Sequence, residues 1–115
     1  MQYLLLIYQN EAEMAKADPA TMHDEYRIFT QSIIQSGHFK GGDALERTAT
    51  ATTVRVRNGK AVTTDGPFAE TREQLGGYYL IEAKDLDEAT KIAARIPSAR
   101  FGSIEIRPVM RYEAP

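Results

Sequence analysis

The chain has 115 residues, of which 43% are apolar, a proportion typical of folded domains and too high for a disordered chain. This length suits one domain, which we place at residues 1–115. The sequence has no cysteine, which excludes disulfides, thiolate metal ligands and a cysteine nucleophile. Its 14 basic and 16 acidic residues give a formal charge of −2, which argues against a nucleic-acid-binding protein.

The longest apolar run, at residues 4–7, is far too short to span a bilayer. No basic segment precedes it, and Glu11 and Glu13 follow soon after, which is not the pattern of a secretory signal. The sequence therefore predicts a cytoplasmic protein that binds neither membranes nor nucleic acids.

The first third of the chain predicts a strand, a loop and a helix. The nearly continuous apolar run at residues 3–8 indicates a strand that is covered on both faces and therefore central in its sheet. We interpret residues 10–18 as a loop. Asp18 and Pro19 form a typical helix start, and Gly37 a typical helix end. One stripe at helical spacing lies between them: Met22, Tyr26, Phe29 and Ile33.

The middle of the chain predicts a strand and a hairpin. Residues 38–45 indicate a short strand, in which Gly41 and Gly42 would permit the close approach of another backbone. The pair Asn58-Gly59 separates two strand-like runs, which is the strongest short-range pattern for a β-hairpin.

The last third predicts a strand, a helix and a strand. Residues 77–83 are rich in Tyr, Leu and Ile, as strands are. Asp85 and Glu88 have the spacing of a capping box, and Pro97 is expected to end the helix that follows. The final strand is expected at residues 103–112, with four apolar side chains on one side: Ile104, Ile106, Met110 and Tyr112.

This order of elements predicts an α+β fold, the ferredoxin-like split βαβ sandwich with an added β-hairpin. Both helices should cover one face of a mostly antiparallel sheet. Because residues 3–8 are apolar on both sides, the other face would be an exposed apolar patch in a monomer. We therefore predict a homodimer in which two sheets pack face to face about a twofold axis.

Residues 64–73, Thr-Asp-Gly-Pro-Phe-Ala-Glu-Thr-Arg-Glu, resemble the signature of DGPF-domain proteins. Residues 75–79, Leu-Gly-Gly-Tyr-Tyr, follow where that family has its Gly-Gly-Tyr strand. The resemblance continues through residues 86–89, 96–97 and 104–109 and covers nearly the whole chain. The chain thus resembles the DGPF-domain branch of the YCII-related family, which implies a dimeric α+β barrel.

The resemblance implies less about function. Most members have no assigned activity, and some are encoded beside extracytoplasmic-function sigma factors, which implies an accessory role in sigma-factor regulation. The enzyme-like branch has a His on its first helix and an Asp before a Pro after its second. Here Tyr26 aligns with that His, and Ile96 stands before Pro97, so the resemblance does not transfer a His–Asp mechanism.

Asp65 and His23 are the candidate catalytic residues. Residues 65–67 predict a tight turn, with Phe68 anchoring the loop in the core, and the same Asp65 could be a general base at a cleft mouth. We favour the turn. His23 could be a proton shuttle if it faces the cleft near a carboxylate, but we favour a solvated helix residue beside Asp24.

Arg107, Tyr26 and Tyr78 are the candidate ligand-binding residues. Arg107 shares a strand face with Glu105, so it could hold an anionic or phenolic ligand in a dimer cleft, or form a cross-strand ion pair. Tyr78 and Tyr79 should point to opposite faces, so that one lines the cleft. The sequence has no His-x-x-x-His spacing and no dinucleotide-binding glycine pattern, and we predict neither a metal nor a cofactor.

Three functions remain open. We favour a homodimer that binds a small polar or aromatic ligand in a cleft between its sheets. The alternative is an isomerase, lyase or dehydrochlorinase, in which Asp65 or His23 moves a proton and Arg107 stabilises an anion, provided that all converge on one pocket. A third is a structural interaction module whose dimer interior is filled by side chains such as Tyr8, Tyr78 and Met110.

Overall fold

The computed structural model describes residues 1–112, which form a four-stranded sheet, a separate two-stranded sheet and helices packed on one face of the larger sheet. The strands are β1 (Gln2–Gln9), β2 (Phe39–Ala44), β3 (Thr52–Arg57), β4 (Lys60–Asp65), β5 (Gln74–Glu82) and β6 (Ser103–Pro108). The α-helices are α1 (Glu11–Met14), α2 (Pro19–Gln35) and α3 (Leu86–Ala93), and 3₁₀ turns lie at Thr48–Thr50 and Pro97–Arg100.

The larger sheet has the order β2-β5-β1-β6, and every neighbouring pair is antiparallel. The prediction of an α+β fold with an antiparallel sheet is confirmed. Because β2 and β6 are free edges, the sheet of one chain is open and does not close into a barrel.

Strand β1 lies between β5 and β6, as its apolar character on both sides predicts. Its odd-numbered residues Tyr3, Leu5 and Ile7 are buried beneath the helices. They pack with Phe29 and Ile33 of α2 and with four residues on and after α3: Ala89, Ile92, Ala93 and Ile96. Burial of this apolar surface is the main source of the stability of the fold.

Local capping patterns set the ends of the two longer helices. Helix α2 begins at Pro19, and Gly37, with φ +82°, follows its C-cap. Helix α3 begins after Asp85, whose carboxylate accepts the backbone N–H of Glu88 at 2.9 Å. These predictions are confirmed, except that Asp18 makes no side-chain cap for α2 and instead accepts the Thr21 hydroxyl at 2.6 Å.

The second face of the sheet carries no helix. Its centre consists of directly opposed pairs, Leu4 with Leu80 and Leu6 with Tyr78, together with Tyr8. These five partly exposed residues are called the leucine face below. A single chain therefore leaves an apolar surface uncovered at the middle of its sheet.

The hairpin at Asn58-Gly59 is confirmed. Asn58 has φ +53° and Gly59 has φ +74°, the two positive values of a type I′ turn. The hairpin forms its own sheet, and every residue of β4 is exposed. The molecule is consequently flat, 49 × 47 × 18 Å, with a radius of gyration of 16.2 Å, against about 13 Å for a compact chain of this length.

Two expectations about the segments at the ends of the first and last strands are wrong. Residues 10–18 are not all loop, because Asn10 caps the short helix α1 by accepting the N–H of Glu13 at 3.0 Å. The last strand ends at Pro108, because its antiparallel neighbour β1 begins at Gln2. Within residues 1–112, the hydrogen bond from the Val109 N–H to the Gln2 carbonyl is the last backbone bond between the two segments. Met110 and Tyr112 are thus exposed and lie outside the strand.

Phe68 does not anchor its loop in the core, since 79% of the residue is exposed. The loop follows β4 of the hairpin, which forms a sheet separate from the four-stranded sheet that carries the core. None of the helices in residues 1–112 is both long and apolar enough to cross a membrane.

Candidate functional site

A cavity of about 340 Å³ lies between the sheet and the two helices α1 and α2. Strands β1, β2 and β5 form its floor, and α2 forms its long wall. Apolar side chains make up most of the lining, namely Ile7, Met14, Met22, Phe39 and Ala44. The cavity therefore offers a largely apolar space on the helix side of the sheet, not on the leucine face.

Glycines form part of this floor. A Cβ atom at Gly42 would lie 2.7 Å from the Tyr78 carbonyl oxygen and 2.9 Å from the ring of Tyr79. A Cβ at Gly76 would lie 2.7 Å from Nε2 of Gln9. A close backbone approach was predicted for the pair Gly41 and Gly42. It occurs at Gly42, whereas a Cβ at Gly41 would meet nothing within 4 Å.

A chain of three polar side chains adjoins the cavity at the end of β1. The hydroxyl of Tyr26 lies 2.5 Å from that of Ser98, and Ser98 donates to Oε1 of Gln9 at 2.9 Å. Because a serine hydroxyl has one proton, which goes to Gln9, Ser98 must accept the proton of Tyr26. The phenol oxygen of Tyr26 and the amide N–H groups of Gln9 then remain to meet a ligand, since both residues line the cavity.

Burial keeps the two tyrosine hydroxyls of the cavity wall, those of Tyr26 and Tyr79, protonated. Burial raises the pKa of Tyr26, and its hydrogen bond with Ser98 only partly opposes this. Burial also raises the pKa of Tyr79, whose hydroxyl lies 2.6 Å from that of Thr30. Both phenols are therefore neutral at physiological pH, and they act as hydrogen-bonding groups, not as anions.

Tyr78, a candidate ligand-binding residue, belongs to the strand that forms the cavity floor, but its side chain lies on the leucine face, opposite Leu6. Its hydroxyl donates to Oδ2 of Asp43 at 3.0 Å, and that hydrogen bond and the carboxylate charge raise the pKa of Tyr78. Because Asp43 stands opposite Tyr78 in the β2–β5 register, this pair lies at the β2 edge of the leucine face, where Asp43 is exposed to water.

His23 also lines the cavity, from an exposed position on α2. Its neighbour Asp24 pairs with Arg27 at 3.7 Å instead, and the His23 imidazole makes no hydrogen bond within residues 1–112. His23 therefore stands beside the opening of the cavity with both ring nitrogens available to solvent or to a ligand.

Arg107 and Asp65 lie elsewhere. Arg107 stands opposite Leu4 in the β1–β6 register, on the open side of the sheet, and its neighbour Glu105 accepts the Tyr8 hydroxyl at 3.3 Å. Asp65 is the exposed last residue of β4. Neither residue lines the cavity that contains His23 and Tyr26, so one chain does not assemble the combination that the enzyme alternative requires.

The Asp-Gly-Pro turn is held by Gly66. This residue has φ +99°, and its N–H donates to the carbonyl of Ala51 at 2.7 Å. Its own carbonyl accepts the Thr53 hydroxyl at 2.8 Å. The Asp65 carboxylate makes no hydrogen bond within the part of the chain that the structure describes. The glycine, with its freedom to adopt positive φ, thus carries the turn.

Two residues of the site, Gln9 and Ser98, were not identified from the sequence. Gln9 continues the inward-facing series Tyr3, Leu5, Ile7, and a polar residue in that register is a detectable sign of a polar partner inside. Ser98 follows Pro97 without any such pattern. Among residues 1–112, no group of three or more His, Asp or Glu residues could hold a metal ion.

The fold and the cavity define a small α+β protein with an internal space of ligand size. A family model described as the YCII-related domain matches residues 1–113, and the chain belongs to the YCII-related family. It is also similar to an uncharacterised protein of Rhizobium meliloti (strain 1021), with 34% identity over 119 residues that cover 98% of this chain and 95% of the relative.

Proposed function

We propose that this protein binds a small molecule with an aromatic or apolar body and a hydroxyl group in the cavity beneath α2. The observation that carries the proposal is the Tyr26–Ser98–Gln9 chain at the edge of a mostly apolar space. Ligand cavities commonly measure about 300–1,000 Å³ and combine apolar walls with a few fixed polar groups. The cavity of about 340 Å³ lies at the small end of that range.

The hydrogen-bond directions favour a particular ligand chemistry. The oxygen of Tyr26 accepts and the amide of Gln9 donates, so one ligand hydroxyl can donate to the first and accept from the second. A phenol fits both requirements and places its ring against the apolar wall. A carboxylate fits less well, since the neutral Tyr26 already donates its only proton to Ser98.

The assembly that we propose is a homodimer with the leucine faces in contact. The strand order β2-β5-β1-β6 with two helical crossovers supports the ferredoxin-like plan, and the uncovered leucine face supports its pairing into a dimeric α+β barrel. Asp-Gly-Pro-Phe at residues 65–68 supports the DGPF-domain branch. By the same resemblance we propose a cytoplasmic protein with an accessory, ligand-sensing role in sigma-factor regulation.

Calorimetric titration tests the ligand class by comparing phenol with toluene, which lacks the hydroxyl group. We expect phenol to bind more tightly, and the substitution Tyr26→Phe to weaken phenol binding by about tenfold, because it removes one hydrogen bond. Toluene binding should change little. Tyr8→Phe is the matched control, because the Tyr8 hydroxyl bonds Glu105 on the leucine face, outside the cavity.

A cavity-filling variant tests whether phenol binds in the cavity beneath α2. Ala44→Leu puts a larger side chain into the lining and should abolish the phenol-induced rise in melting temperature, whereas Ala94→Leu, exposed at the end of α3, should preserve it. The proposal is overturned if no phenol raises the melting temperature of the wild-type protein, or if Ala44→Leu binds phenol as the wild type does.

A further inference from the structure

The hairpin β3–β4 has two chemically different faces. The register pairs Val56 with Ala61, Val54 with Thr63 and Thr52 with Asp65, so these six residues share one side, which is called the valine face. The opposite side carries Arg55, Arg57 and Lys60 around Val62. This alternation is typical of a sheet with one face against an apolar surface and the other in water.

The valine face is uncovered in a single chain. Val54 is 59% exposed and Val56 is 62% exposed. An isolated two-stranded hairpin is only marginally stable in water and needs a surface to pack against. The four-stranded sheet of the same chain does not supply it, since the hairpin forms a separate sheet and all of β4 is exposed.

A second copy of the chain supplies the missing surface. Each copy has an uncovered leucine face and an uncovered valine face, and a twofold axis lets both be buried at once. The charges are compatible with this contact: the valine face carries one charged residue, Asp65 at its end, and the three cations of the hairpin lie on the side that would remain in water. Phe68, which follows the hairpin and is 79% exposed, adds apolar surface to the same arm.

The surface area of the leucine and valine faces also supports a second copy of the chain as the partner. β5 and β1 have 9 and 8 residues and the edge strands β2 and β6 have 6 each, so the sheet face covers about 450 to 500 Å². One face of a hairpin with 6-residue strands adds about 200 Å². The total, about 650 to 700 Å² for each copy, approaches the roughly 800 Å² per partner of a stable interface. The leucine face alone falls clearly short of it.

We propose that the β3–β4 hairpin is a dimerisation arm, whose valine face packs on the open sheet side of a second copy. The inference rests on the homodimer proposed above but not on ligand binding. It predicts that the flat shape of one chain becomes compact in the pair, because each arm crosses to the partner. The arm is needed for a stable dimer, and the contact of the leucine faces alone is too small.

Light scattering coupled to size-exclusion chromatography measures the assembly. We expect the wild type to be a dimer and the double substitution Val54→Lys/Val56→Lys to raise its dissociation constant about 100-fold, since each buried valine contributes about tenfold. Val62→Lys, on the cationic side and 49% exposed, is the matched control and should leave the dimer intact. Circular dichroism and phenol binding report whether each variant is folded.

The outcomes separate the proposals. A dimeric Val54→Lys/Val56→Lys variant overturns the arm and leaves the homodimer, and a Val62→Lys variant that dissociates equally overturns the assignment of the face. A wild type that is monomeric at all concentrations overturns both. Because the chain has no cysteine, Val56→Cys can carry a single photo-crosslinker. We expect it to give a covalent dimer and Val62→Cys to give none, and the reverse result contradicts the arm.

Discussion

The hydroxyl of Tyr26 lies 2.5 Å from that of Ser98, and this pair joins α2 to the turn that follows α3. Ser98 is completely buried and also donates to Gln9 at the end of β1. Three segments that are distant in the sequence therefore meet at one serine hydroxyl. The same contact supports the fold and fixes the direction in which Tyr26 can bond a ligand.

The substitution Ser98→Ala should lower the free energy of unfolding by about 1–3 kcal/mol, because it leaves Tyr26 and Gln9 without their buried partner. Urea denaturation monitored by circular dichroism measures the change. Ser103→Ala is the control: Ser103 is exposed and donates to Glu73 at 2.8 Å, and its removal should change the stability by less than about 0.5 kcal/mol. Equal effects of the two substitutions would contradict a structural role for Ser98.

The pH dependence of stability should reveal the contact between Glu11 and Thr48. The Thr48 hydroxyl and N–H donate to the Glu11 carboxylate at 2.5 and 2.9 Å. These bonds, the hydroxyl first, lower the pKa of Glu11 below its ordinary value of 4.5. A lowered pKa in the folded state stabilises the protein above pH 4.5, and this stabilisation is lost as the pH falls through the pKa of the folded state.

Thr48→Val should therefore destabilise the protein by about 1–2 kcal/mol at pH 7, and the difference from the wild type should shrink as the pH falls from 4.5 through the pKa of Glu11 in the folded state. Urea denaturation at a series of pH values gives the comparison. In the control Thr50→Val, the lost hydroxyl bond goes to the carbonyl of Arg47, so its effect should not vary with pH. A pH-independent effect of Thr48→Val would show that Glu11 does not carry the contact.

The elements that the sequence predicts correctly are those with a local cause. Three features are determined by residues that are close together in the sequence: the apolar run of β1, the Asn58-Gly59 turn and the Asp85 cap. Helix α1 was missed because four residues cannot form a stable helix alone. It is held by distant partners: Gln74 accepts the N–H of Glu11 at 2.9 Å, in addition to the contact from Thr48.

The site could be predicted only in part. Tyr26, Tyr78 and His23 were chosen as candidates; Tyr26 and His23 line one cavity, whereas the Tyr78 side chain lies on the leucine face. The sequence pattern puts Arg107 on a strand face but cannot say which face borders the cavity, and the β1–β6 register places it on the other one. The exposure of Phe68 depends on where the hairpin lies relative to the core, and the residues around Phe68 do not determine that position.

The two neighbouring glycines of β2 should respond differently to the same substitution. Gly42→Ala puts a Cβ 2.7 Å from the Tyr78 carbonyl oxygen, a backbone atom that cannot move away without shifting β5. We expect a loss of about 1–3 kcal/mol from this overpacking. In Gly41→Ala the Cβ meets nothing within 4 Å, and stability should stay within about 0.5 kcal/mol. Similar melting temperatures for the two variants would show that β2 does not approach β5 as closely as described.

The turn of the hairpin offers a test of the arm that leaves its valine face untouched. Gly59 has φ +74°, and Gly59→Val forces a β-branched residue into that conformation at a cost of about 1–2 kcal/mol or more. Because the hairpin is separate from the four-stranded sheet, we expect its amides to exchange faster with solvent while those of β1 and β5 stay protected.

Hydrogen exchange followed by mass spectrometry and size-exclusion chromatography measure the two effects of Gly59→Val together. Asn58→Gly is the matched control, because glycine also adopts the φ of +53° at that position and should preserve both the hairpin and the dimer. If Gly59→Val loosens the hairpin yet leaves the dimer as tight as in the wild type, then an ordered arm is not what holds the two copies together. If the dimer weakens in proportion to the loss of protection, the arm must be folded in order to dock.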